Sequence, residues 1–275
     1  MLREYKISRG NVWNFDETGF RVGCPKGEEI YVPLDVKEVG LFLILRALLT
    51  NKFYSVSPEN RRSLTAIEAV SASGRTIPPV IIIQGKHHMD SWYRERLGQK
   101  EVILLSDSGF TNDQLTFRFL QHFIEYTKAG PFEPLKLLLT DNHGSHLTPA
   151  FILLARRNNV IPYSFPSHLT HCMQPCDVGI FQPMKHWHDK AIQHALETLD
   201  FDYTISSFLR DMPQIRSQTL RKITIKHAFE HAGMWPVNSH KVLEKMSKYI
   251  KEATLEPPAL PDLPPPATLR TTYEF

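Results

Sequence analysis

Two short apolar runs in this chain each finish on an aspartate, Val12-Trp13-Asn14-Phe15 on Asp16 and Leu137-Leu138-Leu139-Thr140 on Asp141. Runs of this length and composition read as buried strands. An ionised carboxylate at the end of such a strand is costly unless something positive meets it. A third aspartate, Asp177, stands in Gln174-Pro175-Cys176-Asp177-Val178-Gly179. A fold that brings the three together needs a cation among them, so Asp16, Asp141 and Asp177 form a candidate metal site.

The rest of the pattern supplies a sheet and its covering helices. A strand is predicted over 11–16, followed by a turn at Gly19 and short extended pieces around 20–22 and 30–33. Period-two alternation over 64–71, a turn at Ser73-Gly74, and β-branched or apolar runs over 79–84 and 101–106 add further strands. Thr111-Asn112-Asp113-Gln114 fits a capping box, and Leu115, Phe119, Leu120, Phe123 and Ile124 recur at helical spacing, which predicts a helix over 112–127. Then come a strand over 136–140, a helix from Pro149 to about Asn158, and a strand over 160–164. The stretch 165–175 reads as a loop that delivers Asp177 to the front of a helix starting near Gln182-Pro183. Further helices are predicted over 204–211 and 219–232, the latter stopped by Gly233. Strands, then alternating helix and strand, then helices, imply an α/β fold: a mixed central sheet flanked by helices, with a C-terminal helical extension.

The bulk properties narrow the setting. At 275 residues the chain is long enough for one large core plus appendages. A net charge of +3 with dispersed basic residues permits nucleic-acid binding without arguing for it. Three cysteines are too few, and odd in number, for a secreted disulfide framework, and the first residues lack an apolar signal core, so a reducing intracellular setting is expected. The one membrane-like stretch, 39–49, is about half the ~20 residues a span requires and contains Arg46, so no membrane segment is read.

Asn14-Phe15-Asp16-Glu17-Thr18-Gly19-Phe20, Ser106-Asp107-Ser108-Gly109-Phe110-Thr111-Asn112, Thr140-Asp141-Asn142-His143-Gly144-Ser145-His146 and Gln174-Pro175-Cys176-Asp177-Val178-Gly179 occur in that order. This set resembles pogo-like transposases of the mariner superfamily, and more narrowly the DDE superfamily endonuclease domain of fungal elements. Pro58-Glu59-Asn60-Arg61, Phe165-Pro166-Ser167-His168 and Ala232-Gly233-Met234-Trp235-Pro236-Val237-Asn238 fit as well, so the likeness spans about residues 5–245. The 35 residues between Asp141 and Asp177 match that family's spacing to a third acid that is aspartate.

The resemblance implies a ribonuclease-H-like fold, with Asp16 on the central first strand, Asp141 after the fourth and Asp177 near a helix start. It implies metal-dependent phosphodiester cleavage and strand transfer on DNA, in the nucleus, by a protein that dimerises. Two Mg²⁺ or Mn²⁺ ions would serve, Asp16 bridging both while Asp141 and Asp177 each hold one. Hard ions of this kind prefer carboxylate oxygen, and paired ions can activate a nucleophile and stabilise a leaving oxygen. The alternative, resembling centromere protein B, is a DNA-binding scaffold in which the nuclease fold survives without activity.

Residues around the acids carry two readings each. Glu17 either supports the site from behind or faces solvent. His143 and His146 either approach substrate phosphate and orient a water, or cap the turn into the next helix. His168, His171, Cys172 and Cys176 form a nitrogen and sulfur cluster whose spacing fits no common zinc pattern; the thiols can equally pack beneath the loop. Lys185, His186, His188 and Lys190 on one helix, with Arg216, Arg221, Lys222 and Lys226 further on, either track DNA phosphates or form solvated faces. The four tryptophans are read as packing residues.

By domain, 1–10 is a lead-in, 11–200 the catalytic domain, 201–250 the helical extension and 251–275 a proline-rich disordered tail. The apolar segment 39–52 interrupts the family pattern and reads as an insertion, such as a translated intron. Full members carry helix-turn-helix modules ahead of the catalytic domain, and about 15 residues precede the first acid here, so a truncated copy without those modules is expected.

Overall fold

The computed structural model describes residues 2, 4–23, 62–94, 100–166, 169–198 and 203–253. The expected insertion at 39–52, the extended piece at 30–33, the motif at 58–61, Cys24, His168 and the tail beyond 253 lie outside the described residues.

The strands are β1 (Val12–Val22), β2 (Arg62–Ser71), β3 (Val80–Gln84), β4 (Val102–Ser106), β5 (Lys136–Thr140) and β6 (Val160–Ser164). They form one sheet in the order β4-β3-β2-β1-β5-β6. Only β2 among them runs against its neighbours; the pairs β1·β5, β3·β4 and β5·β6 are parallel. Strands β1 and β5 therefore run the same way, and β5 ends level with the middle of β1.

The helices are α1 (Ser91–Arg94), α2 (Asp113–Thr127), α3 (Pro149–Arg157), α4 (Thr170–Met173), α5 (Pro175–Gly179), α6 (Phe181–Glu197), α7 (Ile205–Thr219), α8 (Lys222–His231) and α9 (Ser239–Ala253). Helix α2 starts where the Asn112 side chain accepts the Leu115 N–H, and ends at Lys128, whose φ of 55° breaks the helical run. Helix α3 is capped by Thr148 and begins with Pro149, which lacks the N–H that would otherwise be orphaned.

Period-two alternation assigns each face its own core. Trp13, Phe15, Ile67, Ala69, Val80, Ile82 and Leu138 point to one side, where Phe119 and Phe123 of α2 and Phe151 and Ala155 of α3 cover them. Phe15 stacks on Phe119 with ring centroids 4.5 Å apart. The opposite face carries two separate apolar clusters. Phe20, Val22, Leu64, Ala66, Ile81 and Ile83 pack beneath α6 and α7, whereas Val12, Val70, Leu137 and Leu139 pack beneath α5 and α8. Between those two clusters, in the same inward phase, β1 and β2 place Asn14, Asp16 and Glu68.

Several expectations need correcting. Asp16 lies inside β1, not at its end, and Gly19 makes no turn: Thr18, Phe20 and Val22 stay buried on the inward phase while all of β1 pairs with β2. The ladder overrides the local glycine signal because Gly19 is held in register opposite Thr65 of β2. Asp141 follows the fifth described strand, whereas the family resemblance implies the fourth; β4 is the strand read over 101–106. The expected loop at 165–175 contains α4, and Asp177 sits within α5, a separate short helix ahead of α6. The helix expected over 204–211 continues through Pro213 to Thr219, because Met212, Ile215 and Thr219 remain on its buried stripe. Lys222 therefore opens a new helix rather than continuing one from Thr219.

Candidate active site

The three aspartates approach the middle of β1, where β5 ends, by different routes. Asp16 is carried by the central strand, and Asp141 directly follows β5, in phase with inward-facing Leu137 and Leu139. Asp177 is brought in by α5, which is pinned to β1 through Asn14. The Asn14 side chain donates to the Leu139 carbonyl at 3.1 Å and accepts the Cys176 N–H at 2.9 Å. One buried amide thus ties together the three elements that bear the acids. Sequence reading had passed over Asn14, although its inward phase between Val12 and Asp16 marks it as a buried polar group needing partners.

Electrostatics join the three carboxylates into one group. Burial pushes Asp16 well above the usual carboxylate range, and the charges of Asp177, Asp141 and Glu17 push it further, against the Glu17 backbone N–H that favours its ionised form. Asp177 is also raised, by burial and by Asp141, while a hydrogen bond with Asp16, and the charges of Lys185 and His171, pull it back. The two carboxylates titrate as a pair, and burial among like charges favours the neutral form of both, Asp16 the more strongly.

Asp141 behaves differently. Burial alone would raise it, but His146 outweighs that: its Nδ1 donates to Asp141 Oδ1 at 2.6 Å, and with help from the His143 N–H at 3.1 Å the acid is held below its usual value. His146 itself is buried against Phe15, and despite that burial its hydrogen bond to Asp141 and the nearby Glu17 raise it to about 9. Its Nε2 stands 3.5 Å from Glu17 Oε1, too far for a hydrogen bond, so that contact is one of charge. Glu17 points to the sheet face opposite Asp16, and it reaches Asp141 only through this histidine.

His143 is exposed and caps the 3₁₀ turn at Gly144–Leu147, its side chain accepting the Ser145 N–H. Of the two histidines after Asp141, the capping role belongs to His143 and the acid contact to His146. Lys185 and Lys190 are exposed on α6. His188, expected among the DNA-facing residues, is only 4% exposed and sits edge-on to Phe20, Tyr203 and Phe208. It belongs to the core because it falls on the α6 stripe shared with Met184, Ile192 and Ala195.

Arg216 is likewise withdrawn from any DNA face. It donates to both carboxylate oxygens of Glu68, at 2.8 and 3.1 Å, and to the Ile77 carbonyl at 2.7 Å. It also lies on α7, apart from Lys222 and Lys226 on α8.

Hard oxygen donors that repel one another are chemically suited to Mg²⁺ or Mn²⁺. Among the described residues, no three His, Cys, Asp or Glu side chains are already drawn into a ligand-spaced cluster. The aspartates would have to close on an ion, and His171, Cys172 and Cys176 assemble no zinc site. Cys172 and Cys176 are buried free thiols, and the Cys176 thiol is pushed up by burial and by the charges of Asp16, Glu68 and Asp177.

The family model described as DDE superfamily endonuclease matches residues 60–229, more than half of the chain. The chain belongs to the DDE superfamily endonucleases. Within the curated proteins, one described as MFS-type transporter clz9, from Cochliobolus lunatus, is 28% identical over 261 residues. The match covers 95% of this endonuclease chain and 27% of that protein, so the chain spans about a quarter of its relative's length. No described helix is long and apolar enough to cross a membrane. Among solved structures, the Mos1 strand transfer complex superposes with a TM-score of 0.50 at 13% identity, covering 91% of this chain and 57% of that one. At that identity the likeness is one of fold, and it is the ribonuclease-H-like arrangement of a mixed six-stranded sheet flanked by helices.

Proposed function

We propose that this DDE endonuclease domain cleaves DNA phosphodiester bonds with divalent metal ions and joins the freed 3′ hydroxyl to target DNA, as a transposase catalytic domain. The observation that carries the reading is the convergence of Asp16, Asp141 and Asp177, from β1, the end of β5 and α5, into one mutually repelling acid group. Asp16, Asp141 and Asp177 would hold Mg²⁺ or Mn²⁺, which would supply charge favouring an attacking oxygen and a departing one.

The chain's own residues set the stage for that. His146 keeps Asp141 ionised and fixes its orientation, with Glu17 behind it. Burial and neighbouring acids raise Asp16 and Asp177 above the usual carboxylate range, so this pair gains most from a nearby positive charge. Asn14 holds α5 against β1, so Asp177 keeps its distance from Asp16. Lys185, whose charge reaches Asp177, and Lys190, also exposed on α6, offer positive charge to DNA phosphates. A nuclear location and a dimer belong to the same reading.

A nicking assay on supercoiled plasmid tests it. The protein with Mn²⁺ or Mg²⁺ should nick, and Asp141→Ala, equally folded by circular dichroism, should not. Equal nicking by both would trace the activity to a contaminant and leave a DNA-binding scaffold as the better reading.

A further inference from the structure

A fourth acid stands beside the three. In the antiparallel register of β1 and β2, Glu68 is directly opposite Asp16. Residues so paired share a face, with Cβ atoms about 4.5–5.5 Å apart. Glu68 is fully buried, and the Cys176 thiol beneath α5 feels its charge together with those of Asp16 and Asp177. Unlike those two, Glu68 is fully engaged: Arg216 takes both its oxygens and anchors on the Ile77 carbonyl. A buried, two-pronged guanidinium contact of this kind cancels the charge and fixes the carboxylate's direction.

Resting on the metal-dependent reading above, we propose that Glu68 and Arg216 are positioning residues for the metal centre. Arg216 removes Glu68 from the ligand set, and Glu68 keeps the guanidinium from pairing with Asp16, so the ions meet three acids rather than four acids or two. Helix α7, which follows the sheet in sequence, is thereby part of the centre's electrostatics.

A pair whose only role is to hold α7 down would change stability when broken and leave the folded protein's metal affinity alone. Mn²⁺ binding to the full chain by calorimetry separates the two. Glu68→Gln leaves Arg216 uncancelled beside Asp16 and should weaken Mn²⁺ binding by about tenfold or more, since one net charge is gained near a divalent ion. Arg216→Met leaves Glu68 uncancelled and should move the affinity the opposite way. Glu68→Gln with Arg216→Met removes both charges and should return affinity to within about threefold of the native protein, additivity failing as it does for residues in contact. The double variant keeps the test open if a single one does not fold, because replacing both members of a buried pair is tolerated better than removing one.

Native affinity in a folded single variant overturns the proposal, as does a folded double variant still shifted by about tenfold. Asp141→Ala is the control for the metal reading: if it binds Mn²⁺ as the native protein does, that reading fails, whatever the Glu68 variants show.

Discussion

Acid should destabilise this protein through His188. Burial among Phe20, Tyr203 and Phe208 holds its imidazole neutral and lowers its value from 6.5 to about 4, with the charges of Asp189 and Asp211 opposing only in part. Its Nε2 is buried with no hydrogen-bond partner, so nothing in the core rewards protonation. The unfolded chain takes up the proton near 6.5, and the folded chain only near 4. Between those values the unfolded state holds more protons, so stability rises with pH across the window; the contribution is complete above the upper value and lost on approach to the lower. A difference of roughly two to three pH units at about 1.4 kcal/mol each amounts to about 3 kcal/mol.

Urea unfolding of the native protein and of His188→Phe at several pH values between about 7 and 4 isolates this contribution. The replacement carries its own packing cost of about 1–3 kcal/mol, but that cost does not depend on pH and drops out of the slope. The gap between the two proteins should move by about 3 kcal/mol in favour of the variant as pH falls. Parallel loss of stability in both proteins across the window would refute the idea of a neutral buried histidine.

Other perturbations test the scaffold of the site. Asn14→Ala orphans the buried Cys176 N–H, which should cost about 1–3 kcal/mol in a denaturant melt, and it should suppress plasmid nicking at temperatures where the variant is still folded. Gly179→Ala would bring a Cβ to 2.9 Å from Ala228 Cβ and 3.1 Å from its Cα, forcing α5 off α8; a lower melting temperature, worth about 1–3 kcal/mol, should accompany weakened Mn²⁺ binding. Phe119→Ala empties the space against Phe15 and Phe123 and should cost about 3–5 kcal/mol in chemical unfolding with metal affinity unchanged in the folded fraction.

The α/β class and most strands were readable from local pattern, since Leu64–Ser71 and Lys136–Thr140 carry their periodicity in adjacent residues. So did the helix Asp113–Thr127, whose apolar stripe and Asn112 cap are local. The Gly19 turn was misread because a glycine signals a break only where no partner strand holds it in line, and that partner, β2, enters some forty residues later in sequence. His188 looked like one of a run of basic residues; the packing of α6 against Phe20 of β1 and Phe208 of α7 buries its ring.

The sequence by itself picked out the candidate acids, because each stands in a motif of adjacent residues: Asp16, Asp141 and Asp177 stand out without coordinates. What tertiary structure alone decided is how each acid is treated. Asp141 is held below its usual value by His146, Asp16 and Asp177 are raised by burial and neighbouring acids, and Glu68 is paired with Arg216, a residue 148 positions away. The physical reason is that a carboxylate's charge state depends on its neighbours within a few ångströms, and burial amplifies every such contact. Those neighbours are assembled by strand register and helix packing, which no local stretch of chain encodes.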